Sequence, residues 1–303
     1  MTNKKETIIR LAISLLIAFA LPYTMIFIYI AKCGWTIEGR FYGIICSAAM
    51  LCPALANIIT RIITKEGTSE LTLNLNFKCT KRYYGIALIV PVICSLIIVL
   101  CITLFILPSE SLGELLKNTN YGEDCSTVLY LISMSLASFI FGFGEEFGWR
   151  GYMTPKLEKL MPAPAAIIIT GVIWGLWHAP LIACGHDFGK GYWGDPWLGI
   201  ILMCVSCIGI SFYLSALTKA TGSSLAAGLA HMSINNITTG LISIILAGLA
   251  EDKILKLSTD LNFGFNLTSM SVISVSTAIV GIIILVGLYK RKKRHRKQPG
   301  HST

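Results

Sequence analysis

The chain has 303 residues, 54% of them hydrophobic and 14% charged, with a mean hydropathy of +0.69. A soluble domain carries about a quarter charged residues, so this balance argues against a soluble globular enzyme, a disordered protein or a nucleic-acid-binding module. The formal charge of +9, from 25 Lys and Arg against 16 Asp and Glu, must be located along the chain before it says anything about partners.

Eight apolar stretches reach the roughly 20 residues that a helix needs to cross a hydrocarbon layer of about 30 Å. In chain order they are Ile8–Ile30, Phe41–Ile59, Tyr84–Leu107, Thr127–Phe143, Pro164–Ala183, Trp197–Leu217, Ser223–Ala247 and Thr268–Tyr289. They are continuous runs rather than ten-residue alternating strands, which selects helices over a barrel. The first run is too long for a signal-peptide core and is read as a retained helix. The fourth ends in the polar string Glu145–Glu146, through which the helix is expected to continue, because no proline follows until Pro155. Between the second and third runs Leu71, Leu73, Leu75 and Phe77 alternate with polar residues, as in a segment lying at the membrane interface or in an ordinary connection.

The predicted fold is therefore an all-α polytopic membrane protein. It is one integral domain over 1–303, with N-terminal helices in 8–107, a core in 126–250 carrying helices four to seven, and a last helix 268–289 followed by a basic tail 290–303. An even number of spans puts both termini on one side. Of the 25 Lys and Arg, 19 fall on that side: Lys4, Lys5 and Arg10, the Arg61–Arg82 connection, Arg150 to Lys159, Lys219, and the tail. Only Lys32, Arg40, Lys117, Lys190, Lys253 and Lys256 fall on the other. The positive-inside rule places both termini in the cytoplasm of a cell-membrane protein. The tail KRKKRHRK reads as a stop-transfer anchor that attracts anionic lipid, with a nucleic-acid role the weaker reading.

Of the ten cysteines, six lie within spans, where a free thiol acts as a small apolar group. Cys204 and Cys207 form a C-x-x-C without a second pair, a weak metal or redox signal. A disulfide among Cys33, Cys125 and Cys184 is open.

Ionisable groups inside a membrane are costly and point to function. Three clusters qualify: Glu145, Glu146 and Arg150; His178; and His231 with Asn235. Glu146 and Arg150 are four residues apart and able to pair. Glu145 is rotated about 100° away, free to face another helix. Trp174 stands one turn before His178, where it can stack on the imidazole, and Pro180 disturbs the helix just beyond. His231 and Asn235 share a face. The remaining acidic residues fall in connections or tails. Three helices thus bring a carboxylate pair, two histidines and an amide into an apolar bundle, an inventory suited to hydrolysis: a base, proton carriers and an anion stabiliser. Taken singly, each cluster also fits polar packing between helices.

The order E-E-x-x-x-R, aromatic-x-x-x-H and H-x-x-x-N resembles the CAAX protease and bacteriocin-processing (CPBP, or Abi) family, of the type II CAAX-prenyl-endopeptidase-like kind. Glu145, Glu146 and Arg150 match the first motif, Trp174 and His178 the second, His231 and Asn235 the third. Trp174 stands where the family usually has Phe. The resemblance implies an intramembrane endopeptidase that opens toward the cytoplasm and acts on a membrane-associated or membrane-delivered peptide or protein. Processing of a bacterial peptide leader or self-immunity to a bacteriocin would be its setting. It implies that Glu145 activates water with His178, that His231 and Asn235 stabilise the oxyanion, and that Glu146 and Arg150 hold the geometry. No cofactor is expected. A zinc-dependent version would use Glu145, His178 and His231, although no H-E-x-x-H helix occurs. A proton-coupled transporter and a non-catalytic peptide-binding relative are the alternatives.

One difficulty is depth. At about 1.5 Å per residue, His178 lies roughly 20 Å from Pro164 but His231 only roughly 12 Å from Ser223. The fifth helix must begin nearer the cytoplasm or tilt for the clusters to meet.

Overall fold

The computed structural model describes residues 4–68, 70–74, 77–105, 125–248 and 259–297. Each of the eight apolar runs is a helix: α1 Lys4–Cys33, α2 Tyr42–Ile63, α3 Phe77–Phe105, α4 Cys125–Gly148, α6 Ala163–Trp177, α8 Trp197–Thr221, α9 Ser224–Gly248 and α10 Thr259–Lys297. Two five-residue helices join them, α5 Thr154–Glu158 and α7 Ala179–Ala183. Among the described residues, α1, α2, α3, α6 with α7, α8 and α10 are long and apolar enough to cross a membrane. The polar strings fall on α4 and α9. Lys117, Lys253 and Lys256, the tail beyond Lys297 and the side chain of Cys125 lie outside the described residues, as does the end of the third run at Leu107.

The helix through Glu145–Glu146 does continue. α4 passes into a π-helical turn, Trp149–Met153, and then into α5 without a break. A π turn displaces backbone carbonyls from regular partners, and buried carbonyls need replacements. Asn57 Nδ2 of α2 donates to Phe147 O at 2.9 Å, and Thr154 Oγ1 to Trp149 O at 3.0 Å. The second expected disturbance is also present. α6 stops at Trp177, and His178 caps both α6 and α7, two residues before Pro180.

α8 is the hub, packed between α10 and α6; α9 lies across α4 and α3; α2 bridges α1 and α4. Glycines set the closest approaches. A Cβ on Gly171 would stand 2.5 Å from Ile208 Cα, and one on Gly175 2.8 Å from Cys204 N, so α6 lies directly on the α8 backbone. Small residues four apart allow this contact in membranes. Gly142 and Gly228 interlock α4 and α9 in the same way. Gly222 ends α8 at φ +69°, a left-handed conformation that glycine takes without strain, and α9 starts two residues later.

At the end of the bundle where α1 begins and α2 finishes, the connection after α2 is tied down. Leu73 pairs with Ser223 in an isolated antiparallel bridge, and Ser224 N donates to Thr72 O at 2.8 Å. Above it lies a charged layer. Lys156 of α5 pairs with Glu66 and reaches Glu70, Lys159 binds Glu70 at 2.7 Å, and Arg10 of α1 stands 3.6 Å from Glu66. Tyr152 donates to Glu66 at 2.9 Å. Burial pulls the Glu66 carboxyl upward, but hydrogen bonds from Lys156 and Tyr152 and the charges of Lys156 and Arg61 outweigh it and hold it below the usual range. Glu70 is also lowered, chiefly by the Lys159 hydrogen bond.

Candidate active site

α4 delivers Glu145 and Glu146 at its last turn, where both are buried: 2% and 0% exposed. Glu146 takes the structural part. Its Oε1 accepts from Arg150 Nη1 at 2.8 Å and lies 2.9 Å from His231 Nδ1. Arg150, 1% exposed, also donates Nη2 to Ser211 Oγ of α8 at 2.7 Å and sits 4.2 Å over the Trp174 ring. One cation thus ties α4, α6 and α8 together, which fits a guanidinium with several donors and a face that stacks.

Glu145 faces a different neighbour, as its rotation from Glu146 requires. Its Oε2 accepts from Trp174 Nε1 of α6 at 2.7 Å. Trp174 also lies tilted against His178, with ring centroids 5.9 Å apart, and edge-on to His231 at 5.5 Å. His178 Nδ1 lies 2.8 Å from Trp174 O. A carbonyl only accepts, so Nδ1 carries the proton and a neutral His178 presents an Nε2 lone pair. His231 is fixed the same way, with Nδ1 on the Glu146 carboxylate.

All four candidate catalytic residues line one cavity of about 330 Å³: Glu145, His178, His231 and Asn235. Asn235, one turn beyond His231, is exposed. The depth difficulty resolves through unequal helix starts. A Cβ on Gly151 would lie 3.1 Å from Ser224 Oγ, so α9 begins level with the π turn. Thr154 and Thr170 share a hydrogen bond of 3.0 Å, which puts α6's eighth residue, not its first, at a comparable level. α6 therefore starts about 10 Å further toward the basic end.

Several participants were not read from the sequence. The Trp174–Glu145 bond and the Ser211–Arg150 bond join separate helices, where no spacing rule applies. Ser211's only signal was a hydroxyl in mid-span. His186 and Asp187, in the connection after α7, also line the cavity, with Asn266 and Met270 of α10 and Cys46 of α2. The C-x-x-C divides: Cys207 lines the cavity, while Cys204 reaches Val172 O at 3.7 Å, and both are free thiols. Among the described residues no three His, Cys, Asp or Glu side chains are placed to hold a metal ion, the set Glu145, His178 and His231 included.

His186, Asp187, Asn266 and Cys46 of the cavity wall come from the end of the bundle opposite the basic tail, where α7 and the starts of α10 and α2 gather.

Residues 127–237 match the family model described as type II CAAX prenyl endopeptidase, Rce1-like. A CAAX prenyl protease 2 of Methanococcus maripaludis is 29% identical over 154 residues, covering 48% of this chain and 53% of that protein. The match thus spans about half the length of the curated relative.

Proposed function

We propose that the chain, whose residues 127–237 match the type II CAAX prenyl endopeptidase family model, is an intramembrane endopeptidase of the CAAX protease and bacteriocin-processing family with a glutamate-activated water. The observation that carries this reading is the division of labour between adjacent carboxylates. Glu146 is committed to Arg150 and His231, while Glu145 has one oxygen on Trp174 and a place in the cavity wall. Oε1 of Glu145 is left for a water. That water's second proton bonds to Nε2 of His178. Glu145 removes a proton as the water oxygen attacks the scissile carbonyl carbon, leaving a tetrahedral oxyanion. The Asn235 amide and a protonated His231 Nε2 donate to that oxyanion. Collapse breaks the C–N bond, and the Glu145 carboxyl returns its proton to the departing amine.

The substrate is a membrane-associated or membrane-delivered peptide or protein. Peptide processing or bacteriocin self-immunity is the role we propose, in a cell membrane with both termini cytoplasmic. The curated relative's name makes a prenylated peptide one substrate to try. The test is purified wild type and Glu145→Gln in detergent with quenched peptides, lipidated and unlipidated, with and without chelator. We expect cleavage by the wild type, unchanged by chelator, and a loss of about 10²–10⁴-fold in Glu145→Gln, the scale of general-base catalysis. Equal cleavage by both proteins sinks Glu145 as the base, and loss of activity in chelator sinks the metal-free mechanism.

A further inference from the structure

The cavity wall has a second polar pole that the hydrolytic reading leaves unused. From the start of α10 toward the basic tail the wall reads Asn266, Ser269, Met270 and Ile273. Along α8 it reads Met203, Cys207 and Ile210, and the next residue, Ser211, holds Arg150. α2 adds Met50 one turn beyond Cys46. A belt of Met50, Met203, Met270 and Ile273 therefore lies between the catalytic groups and the pole of His186, Asp187, Asn266 and Ser269. The wall carries two carboxylates, Glu145 and Asp187, and among the described residues no Lys or Arg. A concave surface with that balance attracts cations.

Two groups of this pole are uncommitted. The 184–196 connection is fixed by Cys184 and Phe188, 1% and 0% exposed, by His186 N on Leu181 O at 3.0 Å, and by Lys190 Nζ on Ala183 O at 2.7 Å. Asp195 serves the loop itself, accepting from Gly191 N at 2.8 Å. Asp187, at φ +63°, does not. Its one charged neighbour among the described residues is His186 Nε2 at 3.7 Å, beyond hydrogen-bond reach. Ser269 is 3% exposed, and its Oγ has no hydrogen-bond partner among the described residues. A buried hydroxyl is ordinarily bonded, in a helix often to the carbonyl one turn back. One left unpaired in a cavity wall, beside a fixed and unpaired carboxylate, marks a place for a ligand's donors.

We infer that Asp187 and Ser269 form a subsite for a cationic side chain, so that the protein selects peptides with a Lys or Arg within a few residues of the cleaved bond. The inference rests on the endopeptidase reading for the cleavage, but recognition of the cation does not depend on catalysis. With the scissile bond at Glu145, the basic side chain crosses the apolar belt, whose flexible methionines suit a methylene stem. Its charged head meets the Asp187 carboxylate, and one of its N–H groups donates to Ser269 Oγ.

The test uses fluorescent peptides that are identical except for lysine, norleucine or glutamate at one scanned position. Binding is read by anisotropy on purified Glu145→Gln protein in detergent, and cleavage on the wild type. We expect the best lysine peptide to bind at least about tenfold more tightly than its norleucine counterpart, the scale of a hydrogen bond to a charged group. Adding Asp187→Asn should bring that ratio to about one, and Ser269→Ala should lower it by a smaller factor. Asp187→Lys should reverse the preference toward the glutamate peptide, which a merely structural role for Asp187 would not do. A thermal scan shows that each variant is folded. A ratio of about one before Asp187 is changed, or a ratio kept in folded Asp187→Asn, overturns the inference. Cleavage by the wild type without a lysine preference sinks the subsite and leaves the endopeptidase reading intact. A lysine preference in binding, with no cleavage of any peptide by the wild type, supports the subsite and counts against the endopeptidase reading alone.

Discussion

Trp174 separates holding the site from doing chemistry in it. Its indole N–H is the single described donor to Glu145, and its ring touches His178, His231 and Arg150. Trp174→Phe keeps most of the ring and removes the donor. A hydrogen bond to a charged group is worth about 1.5–3 kcal/mol, so kcat should fall at least about tenfold with KM little changed. An unchanged kcat would show that the carboxylate is held by other means. Arg150→Ala should be worse for folding than for binding, because it leaves Glu146 buried without its cation. Breaking such a pair costs about 3–5 kcal/mol. The double change Glu146→Gln with Arg150→Met should melt above Arg150→Ala alone, which a thermal scan in detergent would detect. The i,i+4 pairing of Glu146 with Arg150 and the different direction of Glu145 were legible in the sequence, since helical period dictates both. The partners of Glu145 and Arg150 on other helices were not, because period says nothing about which helix lies opposite.

Among the elements, α6 shows how a short motif fixes distance. Gly171 and Gly175 let α6 settle on the α8 backbone, and Trp174 between them is thereby carried to Glu145. Gly175→Val would drive a branched side chain into Cys204. We expect loss of cleavage and a drop of several degrees in Tm, whereas Leu176→Val, on the exposed face of the same turn, should leave both within error. The break at His178 and the run through Glu145 could be read beforehand, the one from Pro180 and the other from the absence of any proline before Pro155. The π turn could not, since no residue type demands it. Nor could the unequal helix starts that bring His178 and His231 to one level, which follow from the hydrogen bond between Thr154 and Thr170 and the seat of Ser224 beside Gly151.

Across the whole molecule, the layer around Glu66 couples α1, α2 and α5 and makes the bundle acid-sensitive. Glu66 and Glu70 are held below their ordinary pKa when folded. Their contribution is therefore fully present above the unfolded carboxylate value of about 4.3 and is lost as pH falls through the lower folded values. Melting temperature in detergent should fall below about pH 4.5 for the wild type. Glu66→Gln should start lower at neutral pH and show a shallower acid decline; an identical slope would remove Glu66 from the account. The eight helices and their alternating direction were legible because lipid leaves the backbone few options. The residues that α7, α10 and α2 add to the cavity wall were not, because helical period says nothing about which helix ends gather around it.

A buried reaction chamber has a kinetic signature. Both halves of a cleaved chain must leave the cavity, walled in part by His186, Asp187 and Asn266, before the next substrate can occupy it. Release and capture then compete for one cavity. Peptides corresponding to either product should raise the apparent KM without altering kcat, and at high substrate concentration turnover should follow departure of the slower fragment rather than bond cleavage. A pre-steady-state burst of cleaved peptide, followed by a slower linear phase, would report that departure directly.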